Sequence, residues 1–155
     1  MTTFFSDSEH PEEPKAPPKS ARRRSREFIL QGLYQWRVGG ADEAYAPEME
    51  GFAKADREFF VGTLRGVIGQ HEKLTEQISA HIDRPFGELS PVEACILMMG
   101  SFEMINHPET PYRVIINEAI ELTKAFGGTD GHKYVNGVLD KVAAVVRADE
   151  VAARK

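Results

Sequence analysis

Apolar residues recur at steps of three and four along most of this chain, and no stretch shows the alternation typical of a half-buried strand. Glycine and proline cut the helical pattern into segments with short connections, which favours antiparallel packing of neighbouring helices. The pattern therefore predicts an all-α fold with five to seven helices. The predicted helical segments are 22–36, 55–81, 91–105 and the two halves of 111–142, with a short helix or loop over 41–51.

The stretch 111–142 has the clearest organisation. Thr110 is expected to cap its first helix, with Pro111 at the first helical position, where a missing N–H costs nothing. A glycine pair ends that helix, and Thr129 or Asp130 can cap the next one. The polar corner between the two buried faces is a first candidate for function; it consists of Asp130, His132, Lys133, Tyr134 and Asn136.

A second candidate is the start of the first helix, where four of five consecutive positions are arginine. Each of these charges opposes the helix macrodipole at a cost of about 0.3–1 kcal/mol, so the segment either frays or uses the charge. We interpret the arginines as a phosphate-contacting patch; a merely solvated basic segment is the alternative. The cluster is Arg22, Arg23, Arg24 and Arg26, and the predicted outer face of the helix carries Arg23, Arg24, Glu27, Gln31 and Tyr34.

The segment 55–81 is predicted to be one long helix with an apolar seam from Phe60 to Ile78. His71 lies on this seam, which favours a core or boundary histidine over a ligand. Each glycine of the segment costs about 1 kcal/mol against alanine and is typical of close helix–helix approach. These glycines are Gly62, Gly66 and Gly69.

The sequence Ser90-Pro91-Val92-Glu93 predicts a helix start. Ser90 is the expected cap, Pro91 occupies the first helical position, and Glu93 can complete a capping box. The helix that follows is largely apolar and includes Cys95, which we assign to the core.

Composition places the chain among ordinary soluble globular proteins, since 41% of its 155 residues are hydrophobic and 28% are charged. This length allows one compact domain or two small subdomains with a shared core. No apolar run is long enough to span a bilayer and the N-terminus lacks the order of a signal peptide, so we expect a cytoplasmic protein. Residues 1–20 are expected to be a disordered Pro/Glu-rich tail, and 148–155 a polar tail that frays.

The sequence contains no catalytic constellation that we can identify. Its five histidines are scattered and its one cysteine excludes a cysteine-rich zinc site, so no metal or cofactor is expected. The segment GGTDGHKY lacks the order of residues and the preceding strand of a P-loop. A helix N-terminus with glycine can still hold an anion.

The net charge of −5 argues mildly against nucleic acid, but the positive charge is clustered. Arginines contact phosphates, and aromatic groups stack on unpaired bases. The arginine cluster together with Tyr34 and Tyr134 therefore favours single-stranded RNA over duplex DNA, because nothing indicates a recognition helix.

Several blocks resemble the NusB transcription antitermination factors. They are the arginine-rich start that leads into Gln31–Trp36, then Leu89–Glu93, and above all INEAIEL and HKYVNGVLDK within 111–142. The resemblance covers residues 21–147 and implies two packed three-helix subdomains plus a further short helix. It also implies a non-catalytic adaptor that binds the boxA element of nascent RNA with a small-subunit ribosomal protein, NusE, and joins the antitermination complex of RNA polymerase.

The resemblance assigns RNA contacts to the arginine cluster and to Tyr34, Asp130, Lys133 and Tyr134. Glu93 is either a partner-binding residue or simply part of the helix start, and both interpretations stay open. Tyr134 stands where many relatives have phenylalanine, and Met98 where a basic residue is common. For a joint RNA surface, the fold is expected to bring residues 130–134 beside the arginine cluster.

Other functions compete with this one. A NusB-like domain also precedes RNA cytosine methyltransferase domains, but this chain has no glycine-rich strand-to-helix motif and little room for such a domain. A helical protein-interaction module, with a role in ribosome maturation, is the other alternative. A homodimer that covers the arginines would be an autoinhibited store, and the sequence leaves the oligomeric state open.

Overall fold

In this computed structural model, which describes residues 20–40 and 54–154, the regular secondary structure of those residues is entirely helical. The prediction of an all-α fold is confirmed, whereas the expectations for 1–19 and 41–51 fall outside the described residues. None of the described helices is both long and apolar enough to cross a membrane. The helices are α1 (Ala21–Gly39), α2 (Arg57–Gly69), α3 (His71–Ser79), α4 (Pro91–Asn106), α5 (Tyr112–Phe126), α6 (Gly131–Val146) and α7 (Ala148–Ala153), and a 3-10 turn lies at Phe86–Glu88.

Helix α4 is the axis of the molecule. All its residues from Ala94 to Met104 are buried, and it packs against α1, α2 and α3 as well as α5 and α6. Helices α4, α5 and α6 pack on one another, and the first three helices of the chain form the other half. This is a bundle of two three-helix subdomains with one shared core, with α7 appended to α6.

The long helix predicted over 55–81 is wrong, because the chain breaks at Gln70 into α2 and α3. Gln70 lies outside helical geometry, at φ −113° and ψ 18°, directly after a glycine that stabilises helix poorly. The apolar seam nevertheless runs across the break, since Phe60, Leu64, Val67, Leu74 and Ile78 are all buried. His71 is a boundary residue as predicted: its Nδ1 lies 2.8 Å from the carbonyl oxygen of Ile68.

One of the three glycines of this segment lies at a close helix crossing. A Cβ on Gly66 would come within 2.3 Å of the Phe102 ring of α4, so this ring packs directly on the backbone of α2. Gly62 and Gly69 have open space instead, so the predicted close approach is wrong at those two positions.

Helix starts follow the sequence at α4 but not at α5. Ser90 caps α4 by accepting a hydrogen bond of 3.2 Å from the Glu93 backbone N–H, as predicted. Thr110 does not cap α5; Pro111 occupies the cap position, and Thr110 is buried with its hydroxyl accepting from Arg22.

Helix α7 replaces the frayed tail expected after Arg147. The Arg147 guanidinium donates to the carbonyl oxygens of Met104, His107 and Thr110 at 2.8–3.0 Å. Glu150 then accepts a 3.0 Å hydrogen bond from the backbone N–H of Tyr112, one of the unpaired donors at the start of α5. The C-terminal segment therefore satisfies the ends of α4 and α5.

Candidate nucleic-acid interface

The arginine cluster occupies the first two turns of α1. Ser20 caps the helix by accepting a hydrogen bond from the Arg23 backbone N–H at 3.0 Å, so the arginine charges lie at the positive end of the helix macrodipole. Carboxylates from other parts of the chain offset this repulsion. The four arginines therefore do not form one uniform exposed patch, and each has its own surroundings.

Arg22 bridges two elements. Its Nη1 lies 3.2 Å from Glu109 Oε2 and 3.1 Å from the Thr110 hydroxyl, while its Cζ lies 4.4 Å from the centre of the Phe59 ring. His107 Nδ1 contacts the same Glu109 carboxylate at 2.9 Å. The hydrogen bond from His107, with help from Arg22, lowers the pKa of Glu109 to about 2.

Arg23 is held by a bidentate ion pair with Glu118 of α5. Its Nε and Nη2 donate to the two carboxylate oxygens at 3.0 and 2.8 Å, which raises the pKa of the guanidinium. The fork geometry of such a pair fixes both side chains. Arg23 is still 42% exposed, so one edge of it faces solvent.

Arg26 lies inside the protein. Only 6% of its side chain is exposed; it forms a bidentate pair with Glu103 of α4, and its Nη1 lies 3.7 Å from Glu118. Arg26 and Glu118 thus link α1 to both α4 and α5. This position gives Arg26 a structural function, in contrast to the surface role that the resemblance implies.

Arg24 is the arginine of the cluster whose guanidinium has no ion pair with the residues the structure describes. It is half-buried at the surface of α1. Tyr34, three turns further along α1, is also half-buried, whereas Gln31 is only 1% exposed. The outer face predicted for α1 is therefore wrong at Gln31.

The second cluster lies at the N-terminus of α6. Asp130 is the cap residue, with a left-handed φ of 66°, but its side chain makes no capping bond; it lies 3.5 Å from the Lys133 ammonium instead. The carboxylate of Glu93 lies beside this helix start. A Cβ on Gly131 would come 2.6 Å from Glu93 Oε2, so the first turn of α6 lies directly against this negative charge.

Tyr134 contacts Arg84, a loop residue after α3 that is not among the candidates indicated by the sequence. The Cζ atom of Arg84 lies 4.8 Å from the centre of the Tyr134 ring, within the range of a cation–π contact. The Tyr134 hydroxyl is enclosed, and burial raises its pKa. No local signal pairs Arg84 with Tyr134, because fifty residues separate them in the sequence.

The two clusters lie at opposite ends of α4 and not side by side as expected. Arg26 contacts Glu103, whereas Gly131 contacts Glu93, ten residues earlier on the same helix. Ten helical residues correspond to about 15 Å. A ligand that touches both clusters has to be extended.

The described residues contain no group of three or more side chains that could hold a metal ion. Cys95 is fully buried, and burial raises the pKa of its thiol to about 12, so it stays protonated at neutral pH. A protonated, buried thiol is a poor nucleophile. The core assignment of Cys95 is confirmed.

Comparison with known proteins gives a consistent result. Residues 23–144 match the family model described as NusB family. A Dechloromonas aromatica protein named transcription antitermination protein NusB is 86% identical over 159 residues, covering 100% of this chain and 98% of that protein. A Ralstonia nicotianae protein of the same name is 55% identical and covers 94% of this chain and 96% of its own length. The solved structure of T. maritima NusB superposes with a TM-score of 0.72 at 25% identity, over 87% of this chain and 99% of that one.

Proposed function

Because the chain belongs to the NusB family, we propose that it binds the boxA element of nascent ribosomal RNA together with the ribosomal protein NusE. In this proposal it is a cytoplasmic adaptor of the RNA polymerase antitermination complex and catalyses no reaction. The observation that supports it most directly is the presence of two cationic clusters at the surface. Arg24 and the exposed edge of Arg23 lie at the start of α1, and at the start of α6 the Arg84 guanidinium lies over the Tyr134 ring.

The residues of the first cluster divide into two roles. Arg24 is the primary phosphate contact, since its charge is not matched by a described carboxylate. Arg22 and Arg23 present their solvent-facing edges to the RNA backbone while their other edges stay paired. Arg26 holds α1 on α4 and positions the other three.

The second cluster would contact bases more than phosphates. Lys133 faces the RNA beside the ring of Tyr134, Asp130 restrains Lys133, and Tyr34 extends the surface along α1. Glu93 supports the start of α6 and leaves an edge for NusE, because it is only partly buried. RNA of several nucleotides, a usual site size for single-strand binding, is needed to reach both clusters.

A titration with single-stranded RNA tests this function. We expect boxA RNA to bind more tightly than a scrambled sequence of equal length, more so with NusE present, and to lose affinity steeply as salt rises. Fluorescence anisotropy at several salt concentrations measures both effects. Equal affinity for boxA and scrambled RNA in the presence of NusE would contradict the proposal and favour a protein-interaction module.

A further inference from the structure

Arg84 lies between the sequence blocks that carry the family resemblance, and it contributes to the α6 corner. It follows α3 in a short exposed loop, and Pro85 with an extended backbone directs the chain into the 3-10 turn. The side chain is 46% exposed although its guanidinium lies over the Tyr134 ring. One side of the group is therefore on the tyrosine and another is in solvent.

The position of Arg84 is restrained from two sides. Its Nε donates to Asp83 Oδ1 at 3.1 Å, and this hydrogen bond is the main reason that the pKa of Asp83 is lowered. Tyr134 is itself packed on the core, with its hydroxyl enclosed. An arginine held between a carboxylate and a fixed ring loses less conformational entropy when a ligand binds than an unrestrained arginine does.

The charges around Arg84 argue for contact with a base and against contact with a phosphate. Two cations, Arg84 and Lys133, are accompanied by the carboxylates of Asp83, Glu93 and Asp130. This local excess of negative charge disfavours phosphate. A guanidinium plane instead stacks well on the face of an unpaired base, and carboxylates can accept hydrogen bonds from base amino groups.

We propose that Arg84 is an RNA-binding residue on which one unpaired base of the bound RNA stacks, with Tyr134 beneath it as the positioning residue. This inference rests on the proposed function and assigns a layered contact of base, guanidinium and phenol ring. Tyr134 then acts on RNA mainly through Arg84. The contact joins a loop of the first three-helix half to the first turn of α6 in the second half.

The variants Arg84→Ala and Arg84→Lys test the contact in the full chain with a boxA RNA probe. Both are expected to weaken binding about tenfold, the order of one stacked base. The salt dependence should stay unchanged, since no phosphate contact is lost. Arg84→Lys keeps the charge and removes the plane, so wild-type affinity for this variant would overturn the stacking contact.

Two matched variants complete the test. Arg65→Ala removes an exposed arginine of α2 and is expected to leave affinity unchanged. In a double-mutant cycle, Arg84→Ala should have little further effect once Tyr134 is alanine, because the two act as one unit. Full additivity would overturn the layered contact.

The outcomes separate this inference from the function on which it rests. If the unaltered protein prefers boxA RNA but Arg84→Ala binds it equally well, Arg84 is not a contact and the proposed function stands. If the unaltered protein shows no preference for boxA RNA, both proposals fail. Circular dichroism of each variant checks that the helices persist.

Discussion

Among single residues, the four arginines at the start of α1 differ in their partners and in their burial. The neighbours of each decide which: Glu109 and Thr110 for Arg22, Glu118 for Arg23, and the interior carboxylate of Glu103 for Arg26. Charge-matched arginines stabilise the helix start that a row of unpaired arginines would destabilise. Arg24 has no such partner among the described residues.

Arg26→Ala should destabilise the protein strongly. Removing the guanidinium leaves Glu103, which is 3% exposed, as a buried carboxylate without its cation, at a cost of about 3–5 kcal/mol in the free energy of unfolding. Urea denaturation followed by circular dichroism measures this. The double variant Arg26→Met with Glu103→Leu should recover most of the loss, because apolar groups of similar size then fill the site.

Arg24→Ala is the matched control within the same helix. It removes an arginine that has no ion pair among the described residues, so the free energy of unfolding should change by no more than about 0.5 kcal/mol. If Arg26→Ala lowers the free energy of unfolding no more than Arg24→Ala does, a structural role for Arg26 is contradicted.

At the scale of elements, α4 determines where the functional segments lie. Its C-terminal half holds α1 through Glu103, and its first turn supports α6 through Glu93. The fixed length of α4 therefore sets the spacing of the two clusters. Helix α2 holds α4 from another direction through the close crossing at Gly66.

Gly66→Ala and Gly62→Ala should have opposite effects on stability. A methyl group on Gly66 would meet the buried Phe102 ring at 2.3 Å, and overpacking of this kind costs about 1–3 kcal/mol. Gly62 is in the same helix with open space around it, so alanine there should add about 0.5–1 kcal/mol through helix propensity. Thermal unfolding of both variants measures the difference.

Combining Gly66→Ala with Phe102→Leu should restore part of the lost stability, since the smaller side chain makes room for the methyl group. If Gly66→Ala proves as stabilising as Gly62→Ala, then α2 and α4 do not cross as closely as the structure indicates.

At the scale of the whole molecule, the separation of the two clusters changes how RNA is expected to bind. A compact site would require residues 130–134 to touch the arginine cluster. Glu103 and Glu93, which contact the two clusters, are about 15 Å apart along α4, so we expect a bound RNA to be extended along the protein. Such a strand contacts each cluster with different nucleotides.

Arg24→Ala and Tyr134→Ala should therefore weaken RNA binding additively on a full boxA RNA, because sites further than about 10 Å apart with no shared partners act independently. Only Arg24→Ala should lower the slope of log affinity against log salt, by about one. The affinity for a shorter RNA that reaches only one cluster should be lowered by the variant in that cluster and not by the other variant. Strong coupling between them would contradict two separate contacts.

The helical class, most of the buried positions and the start of α4 could be predicted from the sequence, because these depend on periodicity and on residues three or four apart. The same local patterns marked the arginine cluster and Tyr134 as candidates. The serine and proline at 90–91 needed nothing from the rest of the chain to begin a helix.

Which of the candidate side chains are paired and which are exposed depends on the tertiary structure. Arg26 meets Glu103 from 77 residues away and Arg23 meets Glu118 from 95, and no local pattern encodes such partners. The break at Gln70, the docking of α7 and the stacking of Arg84 on Tyr134 likewise depend on packing between distant segments. Electrostatic interactions depend on distance in space and not on separation along the chain. The partner of each charged residue is therefore determined by the tertiary fold.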